Sequence, residues 1–236
     1  MMESRFSAPM PAEYGPRTQH GRGWSPYTDN GGTTLALHGK DFCVVAADTR
    51  LSTGYSIHSR EARKVLKLTD KCVIATAGMQ ADQLALHKLL QTRLQWYEHQ
   101  HRKPMSTPAI AQMLATILYS KRFFPFYTFN VLGGVDDNGV GCVYSYDAVG
   151  SFERVKYSSS GTGNQLVQPL LDNQIGWKDQ RATKTKPELN VEETVDFVRD
   201  IFTSAGERDI YTGDYVLIAV IDKDGVKEMK FDLKQD

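Results

Sequence analysis

Side chains that could support nucleophilic or acid–base chemistry lie in short motifs spread along the chain. The motifs are Gly31-Gly32-Thr33-Thr34, Ala46-Ala47-Asp48-Thr49-Arg50, Arg63-Lys64, Ala77-Gly78, Gly161-Thr162-Gly163 and Glu207–Asp214. Taken alone, Asp48 is typical of a carboxylate that caps a turn, and Lys64 is typical of an exposed lysine. The Gly161–Gly163 motif is too short for a phosphate-binding loop and is typical of the start of a helix. No single motif therefore predicts a reaction.

The elements that must position these motifs begin with two predicted hairpins. Apolar runs at residues 34–37 and 42–47 flank a polar turn and predict the first hairpin. Runs at residues 64–68 and 72–77 predict the second hairpin in the same way. Asp48 then follows a strand directly, and Lys64 stands at the start of another.

The rest of the chain groups helices with helices and strands with strands. Helices are predicted over residues 81–97, 107–118 and 164–171 and after residue 190, and strands over 127–132, 141–146, 215–221 and 226–231. Thr107 is the expected N-cap of the second helix, with Pro108 in its first turn. Asn190 and Glu193 form a capping box. This order differs from strict βαβ alternation and predicts an α+β fold. Two antiparallel sheets between helix layers, a four-layer αββα sandwich, would use every predicted element.

Composition restricts the class of protein. The 236 residues include 28 Lys+Arg and 28 Asp+Glu, so the formal net charge is zero and no nucleic-acid partner is expected. Cys43, Cys72 and Cys142 lie far apart in apolar runs, which predicts buried free thiols and neither a disulfide framework nor a metal site. No apolar run reaches the length of a membrane helix, so no membrane partner is expected.

The first part of the chain differs in composition from the rest. Residues 1–31 are rich in proline and glycine without periodicity and predict an irregular, propeptide-like extension, followed by one domain over residues 32–236. The extension has no apolar stretch of the kind a secretory leader contains, and it includes acidic residues that transit peptides avoid. We therefore expect an intracellular, soluble protein. A polar loop over residues 178–187 has no role that the sequence predicts.

Taken together, the motifs strongly resemble the proteasome β-subunit family of N-terminal nucleophile hydrolases, from about residue 29 to the end of the chain. In active members of this family, autolysis after a glycine exposes a threonine whose hydroxyl attacks a peptide carbonyl while its own α-amine accepts the proton. The positions that the resemblance implies are Asp48 and Lys64 beside the nucleophile, Gly78 at the oxyanion hole, and Thr162, Asp209 and Thr212 around them. It implies no cofactor and no metal.

The nucleophile position itself falls on Gly32, which has no hydroxyl group. We therefore predict a vestigial site whose remaining polar groups stabilise the fold. The alternative is an active threonine endopeptidase that uses Thr33 after cleavage of the Gly32–Thr33 bond. Because side chains alternate between the two faces of a strand, Thr33 should point away from the groups that face position 32. A slip of one residue would turn the whole strand over.

Several runs narrow the resemblance to a non-catalytic member of the family. They include Tyr119–Tyr127, Asp147–Ser151 and Gln168–Gly176. This likeness implies a structural subunit of the 20S core particle, in a seven-membered β ring that is stacked on a second β ring and capped by α rings. The implied partners are the β subunits at ring positions five and seven, the opposite β ring and the α-ring subunits, and the implied location is cytoplasm and nucleus.

Two surface features are candidates for contacts with such partners. The aromatic cluster of Phe123, Phe124, Phe126 and Tyr127 is either an interface anchor or a helix end tucked into the core. Asp147 matches a position that faces the substrate pocket of the chymotrypsin-like neighbour, and its ordinary interpretation is a β-turn aspartate. A third possibility for the whole chain is a self-standing binding domain with this fold, which predicts a stable monomer.

Overall fold

The computed structural model describes residues 24–178 and 188–236. Its strands are β1 (Thr33–His38), β2 (Cys43–Asp48), β3 (Leu51–Thr53), β4 (Ser56–Ser59), β5 (Val65–Thr69), β6 (Cys72–Gly78), β7 (Thr128–Val135), β8 (Gly141–Tyr146), β9 (Phe152–Val155), β10 (Tyr157–Gly161), β11 (Tyr215–Asp222) and β12 (Gly225–Asp232). Its helices are α1 (Gln80–His101), α2 (Thr107–Tyr119), α3 (Asn164–Leu171) and α4 (Val191–Arg208), with a π-helical turn over Asp172–Gly176 after α3.

The first sheet has the strand order β10-β1-β2-β11-β12 and is antiparallel throughout. Its outer face packs against α3 and α4, where Leu35 and Ile218 join Val198 and Phe202 in one buried cluster. Ala36, one residue along β1, belongs instead to the cluster between the two sheets. This period of two is what a strand buried on both faces requires.

The second sheet has the order β5-β6-β7-β8-β9, and α1 and α2 cover its outer face. Ile74 and Leu132 pack there against Leu90 and Leu114. The two sheets approach each other so closely that a Cβ added at Gly133 would lie 2.5 Å from Val45 Cγ2. The predicted four-layer αββα sandwich is therefore confirmed.

Most predicted elements are confirmed, including both hairpins, α3 and the capping box of Asn190 and Glu193. The predicted N-cap of α2 was wrong by one residue. Ser106 is the N-cap and accepts a hydrogen bond from the Ala109 amide, whereas the Thr107 hydroxyl donates to the Val135 carbonyl oxygen at 2.8 Å.

Four strands were missed, and each is short or polar. The pair β3–β4 is a small separate hairpin, and β9 and β10 form edges of the two sheets. The sequence of β10 is Tyr-Ser-Ser-Ser-Gly, which lacks the alternation of apolar and polar residues that marks a strand.

The structure describes only parts of the predicted N-terminal extension and of the predicted polar loop. Residues 24–32 have no regular secondary structure. Residues 1–23 of that extension and residues 179–187 of the polar loop lie outside the described residues. The boundary at residue 32 stays a prediction.

Candidate functional site

Gly32 immediately precedes β1 and faces the end of β2 and the residue that precedes β5. A Cβ added at Gly32 would overlap the Lys64 ammonium and would lie 2.9 Å from Asp48 Oδ1. A side chain at position 32 would therefore point straight at the Asp48–Lys64 pair. The backbone of Gly32 has φ +97°, a conformation that residues with a side chain rarely adopt.

Asp48 and Lys64 form a buried ion pair beside Gly32. Lys64 Nζ donates to Asp48 Oδ1 at 2.8 Å, and the two side chains are 3% and 0% exposed, respectively. The carboxylate also accepts the Thr33 amide at 2.8 Å and the amides of Arg50 and Gly213 at 3.2 and 3.4 Å. Burial raises the pKa of Asp48, and the Lys64 ammonium and the amides of Thr33 and Arg50 oppose that change. Four donors around one carboxylate are the arrangement that holds it ionised.

The Thr33 hydroxyl lies on the other side of the strand. Its Oγ1 is 2.6 Å from Thr212 Oγ1, and Thr212 donates in turn to Asp209 Oδ2 at 2.7 Å. Because the Thr212 proton is directed to Asp209, Thr33 is the donor in the first of these bonds. Thr33 is fully buried, and it presents its amide, not its hydroxyl, to Asp48.

Thr162 and Asp209 tie the backbone of Gly32 to the same network. Thr162 Oγ1 donates to Asp209 Oδ2 at 2.7 Å and accepts the Gly32 amide at 3.1 Å. The Thr162 amide donates to the Gly32 carbonyl oxygen at 2.9 Å. Gly161 permits this approach, because a Cβ there would overlap the Gly32 carbonyl oxygen. The structure thus brings together Gly32, Asp48, Lys64, Thr162, Asp209 and Thr212.

Gly78 ends β6 and lies beside the residues that lead to Gly32. Its φ is +110°, and a Cβ there would lie 2.5 Å from the Tyr127 carbonyl oxygen. The Gly78 carbonyl oxygen accepts the amide of Asn30, two residues upstream of Gly32, at 3.1 Å. The candidate oxyanion glycine is therefore close to the candidate nucleophile position. Its catalytic assignment stays a prediction.

Two residues near the site, Asp214 and Asn30, were assigned no role from the sequence. The fully buried Asp214 accepts a hydrogen bond from Arg50 Nε at 2.8 Å and also pairs with Arg60, which fixes the loop after α4 against the residues that flank the β3–β4 hairpin. The Asn30 side chain donates to the Ser52 carbonyl oxygen in β3 and accepts the Gln80 amide at the start of α1. Asp214 is the last residue of the Glu207–Asp214 motif, whereas nothing in the sequence around Asn30 distinguishes it from other polar residues of the extension.

Both predicted contact features, Asp147 and the aromatic cluster, have exposed side chains. The Asp147 side chain is exposed, and its Oδ1 accepts the amides of Val149 at 3.0 Å and Ser151 at 2.8 Å, so it also stabilises its own turn. The aromatic cluster divides: Phe123 is 99% exposed and Phe124 is exposed, whereas Phe126 packs against the α1–α2 core.

Tyr127 is half-buried, and the Tyr27 ring lies between it and Phe124. The ring centroids of Tyr27 and Phe124 are 5.6 Å apart, and those of Tyr27 and Tyr127 are 5.5 Å apart. The cluster thus combines an exposed part with a part that anchors residues upstream of β1. A role of either part in an interface stays a prediction.

The described residues hold no group of three or more His, Cys, Asp or Glu side chains that could bind a metal ion. Within the same residues, no helix has both the length and the apolar character needed to cross a membrane. The three cysteines are buried and free, and burial raises the pKa of the Cys142 thiol to about 11. None of them lies among the side chains around Gly32 named above.

Comparison with known proteins agrees with the resemblance in the sequence. A family described as "Proteasome subunit" matches residues 28–221. "Proteasome subunit beta type-1" of Dictyostelium discoideum is 58% identical over 218 residues, which cover 92% of each chain. The protein of the same name from Arabidopsis thaliana is 51% identical over 93% of this chain and 100% of its own length. "Proteasome subunit beta type-6" of Saccharomyces cerevisiae is 42% identical over 90% of this chain and 92% of its own.

Proposed function

This chain belongs to the proteasome subunit family, and from that premise we propose that it is a non-catalytic β subunit of the 20S core particle. It builds the β ring and so helps to enclose the chamber in which proteins are degraded by the ATP- and ubiquitin-dependent route. Its relatives named beta type-1 match it over nearly their whole length, which supports the same subunit position. An active threonine endopeptidase is not favoured.

The observation that carries this proposal is the glycine at position 32. Catalysis by a threonine-type nucleophile needs a hydroxyl beside a proton acceptor and a positive charge that stabilises the developing alkoxide. The Lys64 ammonium and the Asp48 carboxylate are aimed at position 32, yet the residue there has no side chain. The positive charge is in place, and the attacking atom is missing.

Thr33 is a poor substitute for that missing hydroxyl. It is buried, and its hydroxyl donates to Thr212 on the face opposite Lys64. To become an N-terminal nucleophile it would have to lose the Gly32–Thr33 bond, whose amide is held by Asp48. Attack geometry tolerates errors of only about an ångström, so a hydroxyl on the wrong face of a strand is not usable.

The chain occupies the sixth position of the β ring, between the subunits at positions five and seven, and contacts the opposite β ring and the α ring. It is present in cytoplasm and nucleus. Asp147, exposed at the turn after β8, contacts the substrate pocket of the chymotrypsin-like neighbour, and the exposed Phe123 and Phe124 contact a partner subunit.

The decisive test is the N-terminal sequence and intact mass of this chain in the native complex, after treatment with a covalent probe for N-terminal threonine. We expect an N-terminus upstream of Gly32, no probe adduct on this chain, and co-elution with the other subunits. An N-terminus at Thr33 with an adduct would establish the endopeptidase alternative. Recovery of the chain as a free monomer would establish the self-standing binding domain instead.

The contact proposed for Asp147 has its own test. Asp147→Asn in the assembled particle should change the chymotrypsin-like cleavage preference across a panel of peptides, with the other cleavage activities as internal controls. Identical kinetics for all peptides would remove Asp147 from the neighbour's pocket.

A further inference from the structure

The turn that carries Asp147 joins β8 to β9 and is held together by its own hydrogen bonds. The Asp147 amide donates to the Ser151 carbonyl oxygen at 2.9 Å, which closes the turn. Asp147 Oδ1 accepts the amides of Val149 at 3.0 Å and of Ser151 at 2.8 Å, whereas no described residue donates to Oδ2. The two oxygens of this exposed carboxylate therefore differ in role: Oδ1 stabilises the turn, and Oδ2 is available to a partner.

The residues on either side of this turn pack against each other and against α2. Tyr146 and Phe152 form the pair between β8 and β9 that lies next to the turn, and their rings are stacked with centroids 5.2 Å apart. Tyr146 is buried, and its hydroxyl donates to the Ala111 carbonyl oxygen of α2 at 2.7 Å. Burial raises the pKa of Tyr146, so the hydroxyl stays protonated and remains a donor. The start of the turn is therefore tied to α2 by one buried hydrogen bond.

The far part of the turn contacts the same helix one helical turn further along. Gly150 has φ +94°, and a Cβ added there would overlap the Ala115 carbonyl oxygen and would lie 3.2 Å from Leu118 Cβ. A side chain at position 150 would therefore push the turn away from α2. Ala111 and Ala115 are four residues apart and so lie on one face of the helix. Through Tyr146 and Gly150, that face holds the turn at two points.

We propose that α2 sets the position of Asp147, and that Tyr146 and Gly150 are the positioning residues through which it does so. This inference rests on the proposed contact of Asp147 with the substrate pocket of the chymotrypsin-like neighbour. The group that Oδ2 recognises is a positive charge or an N–H donor on the substrate, because a carboxylate oxygen accepts hydrogen bonds and does not donate them. A helix of this non-catalytic chain thereby affects which peptides an active neighbour prefers.

The test measures cleavage by the chymotrypsin-like site of the assembled particle. The substrates are pairs of peptides that differ only in carrying lysine or norleucine at one position, which is moved along the N-terminal side of the cleaved bond. Asp147→Asn should raise KM for the lysine peptide of one pair by about two- to fivefold, the range of an ion pair at an exposed site. It should leave kcat unchanged, because the contact is remote from the reacting atoms. The asparagine carbonyl oxygen still accepts the Val149 and Ser151 amides, so the turn itself stays intact.

Tyr146→Phe removes only the hydroxyl that bonds to α2, and Gly150→Ala displaces the turn. Tyr146→Phe should raise the same KM by about twofold and should have no further effect once Asp147→Asn is present, because the two changes act on one contact. Gly150→Ala should reproduce the full effect of Asp147→Asn. The matched control is Tyr144→Phe in the same strand, where no described residue bonds to the hydroxyl, and it should change neither KM nor kcat. Native gels show whether each variant is incorporated, and the other cleavage activities serve as internal controls.

The outcomes separate a failure of this inference from a failure of the proposed function. If Asp147→Asn changes the lysine preference and Tyr146→Phe does not, positioning by α2 is wrong and the contact of Asp147 stands. If the effect of Tyr146→Phe persists in the Asp147→Asn background, Tyr146 acts by another route and its positioning role is wrong. If Asp147→Asn itself changes nothing, the contact with the neighbour is wrong and this inference falls with it. The non-catalytic assignment depends on none of these results, because the threonine probe tests it separately.

Discussion

Replacing Lys64 by methionine should destabilise this chain far more than an ordinary lysine substitution does. Methionine keeps most of the volume of the side chain but leaves the fully buried Asp48 carboxylate without its counter-charge. Removing one partner of a buried ion pair costs about 3–5 kcal/mol. Because the amides of Thr33, Arg50 and Gly213 still donate to Asp48, we expect the lower end, a loss of about 3 kcal/mol.

The matched control is Lys67→Met. Lys67 pairs with Asp70 at 2.6 Å, a distance similar to that of the buried pair, but both side chains are exposed. Exposed pairs contribute at most about 1 kcal/mol, so this variant should lose little. The assay is a pulse of protease applied to each variant over a series of urea concentrations, which gives the free energy of unfolding from the fraction of chain that resists cleavage.

The pH dependence supplies a second test of the same reasoning. Burial raises the pKa of Asp48, and without Lys64 the pKa rises further. A carboxylate whose pKa is higher in the folded state binds its proton more readily there, so the penalty of Lys64→Met is complete above that folded pKa and shrinks as the pH falls toward 4. Equal losses for Lys64→Met and Lys67→Met, or a Lys64→Met penalty that does not shrink in acid, would refute an ionised, buried pair.

Three further predictions use the same unfolding assay or a native gel. Gly32→Ala places a Cβ at a residue with φ +97° and against Lys64, whereas at Gly54 φ is +59° and the space is open. The free energy of unfolding should therefore fall by about 1–3 kcal/mol more in Gly32→Ala than in Gly54→Ala. Equal losses would contradict the contact with Lys64. Burial lowers the pKa of His87 to about 4, so between pH 6.5 and 4 the unfolded chain binds a proton that the folded chain does not. The free energy of unfolding should fall by about 3 kcal/mol over that range for this reason. His87→Gln should remove this part of the pH dependence, and an unchanged pH dependence would contradict the role of His87. Phe123 is 99% exposed, so Phe123→Ser should change the free energy of unfolding by less than about 0.5 kcal/mol. The same variant should be incorporated less into the complex, as measured on native gels. Normal incorporation would contradict an interface at Phe123.

The nucleophile position was assigned to Gly32 through the resemblance to the proteasome β-subunit family, and the local register of β1 then separated that position from Thr33. The apolar alternation of Leu35, Ala36 and Leu37 fixes which face each residue of β1 presents, and the same alternation carries back to Gly32 and Thr33. That is why the sequence alone separated position 32 from the Thr33 hydroxyl. The structure has Asp48 and Lys64 facing Gly32, and the Thr33 side chain on the opposite side.

The partners of Thr33 and Asn30 could not be predicted in this way. Thr33 meets Thr212 across 179 positions of sequence, and the Asn30 side chain reaches Gln80 across 50. Hydrogen bonds of such side chains have no periodic signature, and any hydroxyl or amide of the right size would read the same in a sequence. The serine-rich strand β10 was missed for a related reason, since it is a strand only because β1 is beside it.

The sequence by itself thus determined the layered α+β fold and the absence of a hydroxyl at position 32, because hydrophobic periodicity and side-chain identity are local properties. Only the tertiary structure decided that Asp48 and Lys64 are buried as a pair, that Thr33 is held by Thr212, and that the Asn30 amide donates to the Gly78 carbonyl oxygen. Those features depend on which distant backbone and side-chain groups come within about 3 Å of each other, which the packing of the two sheets sets.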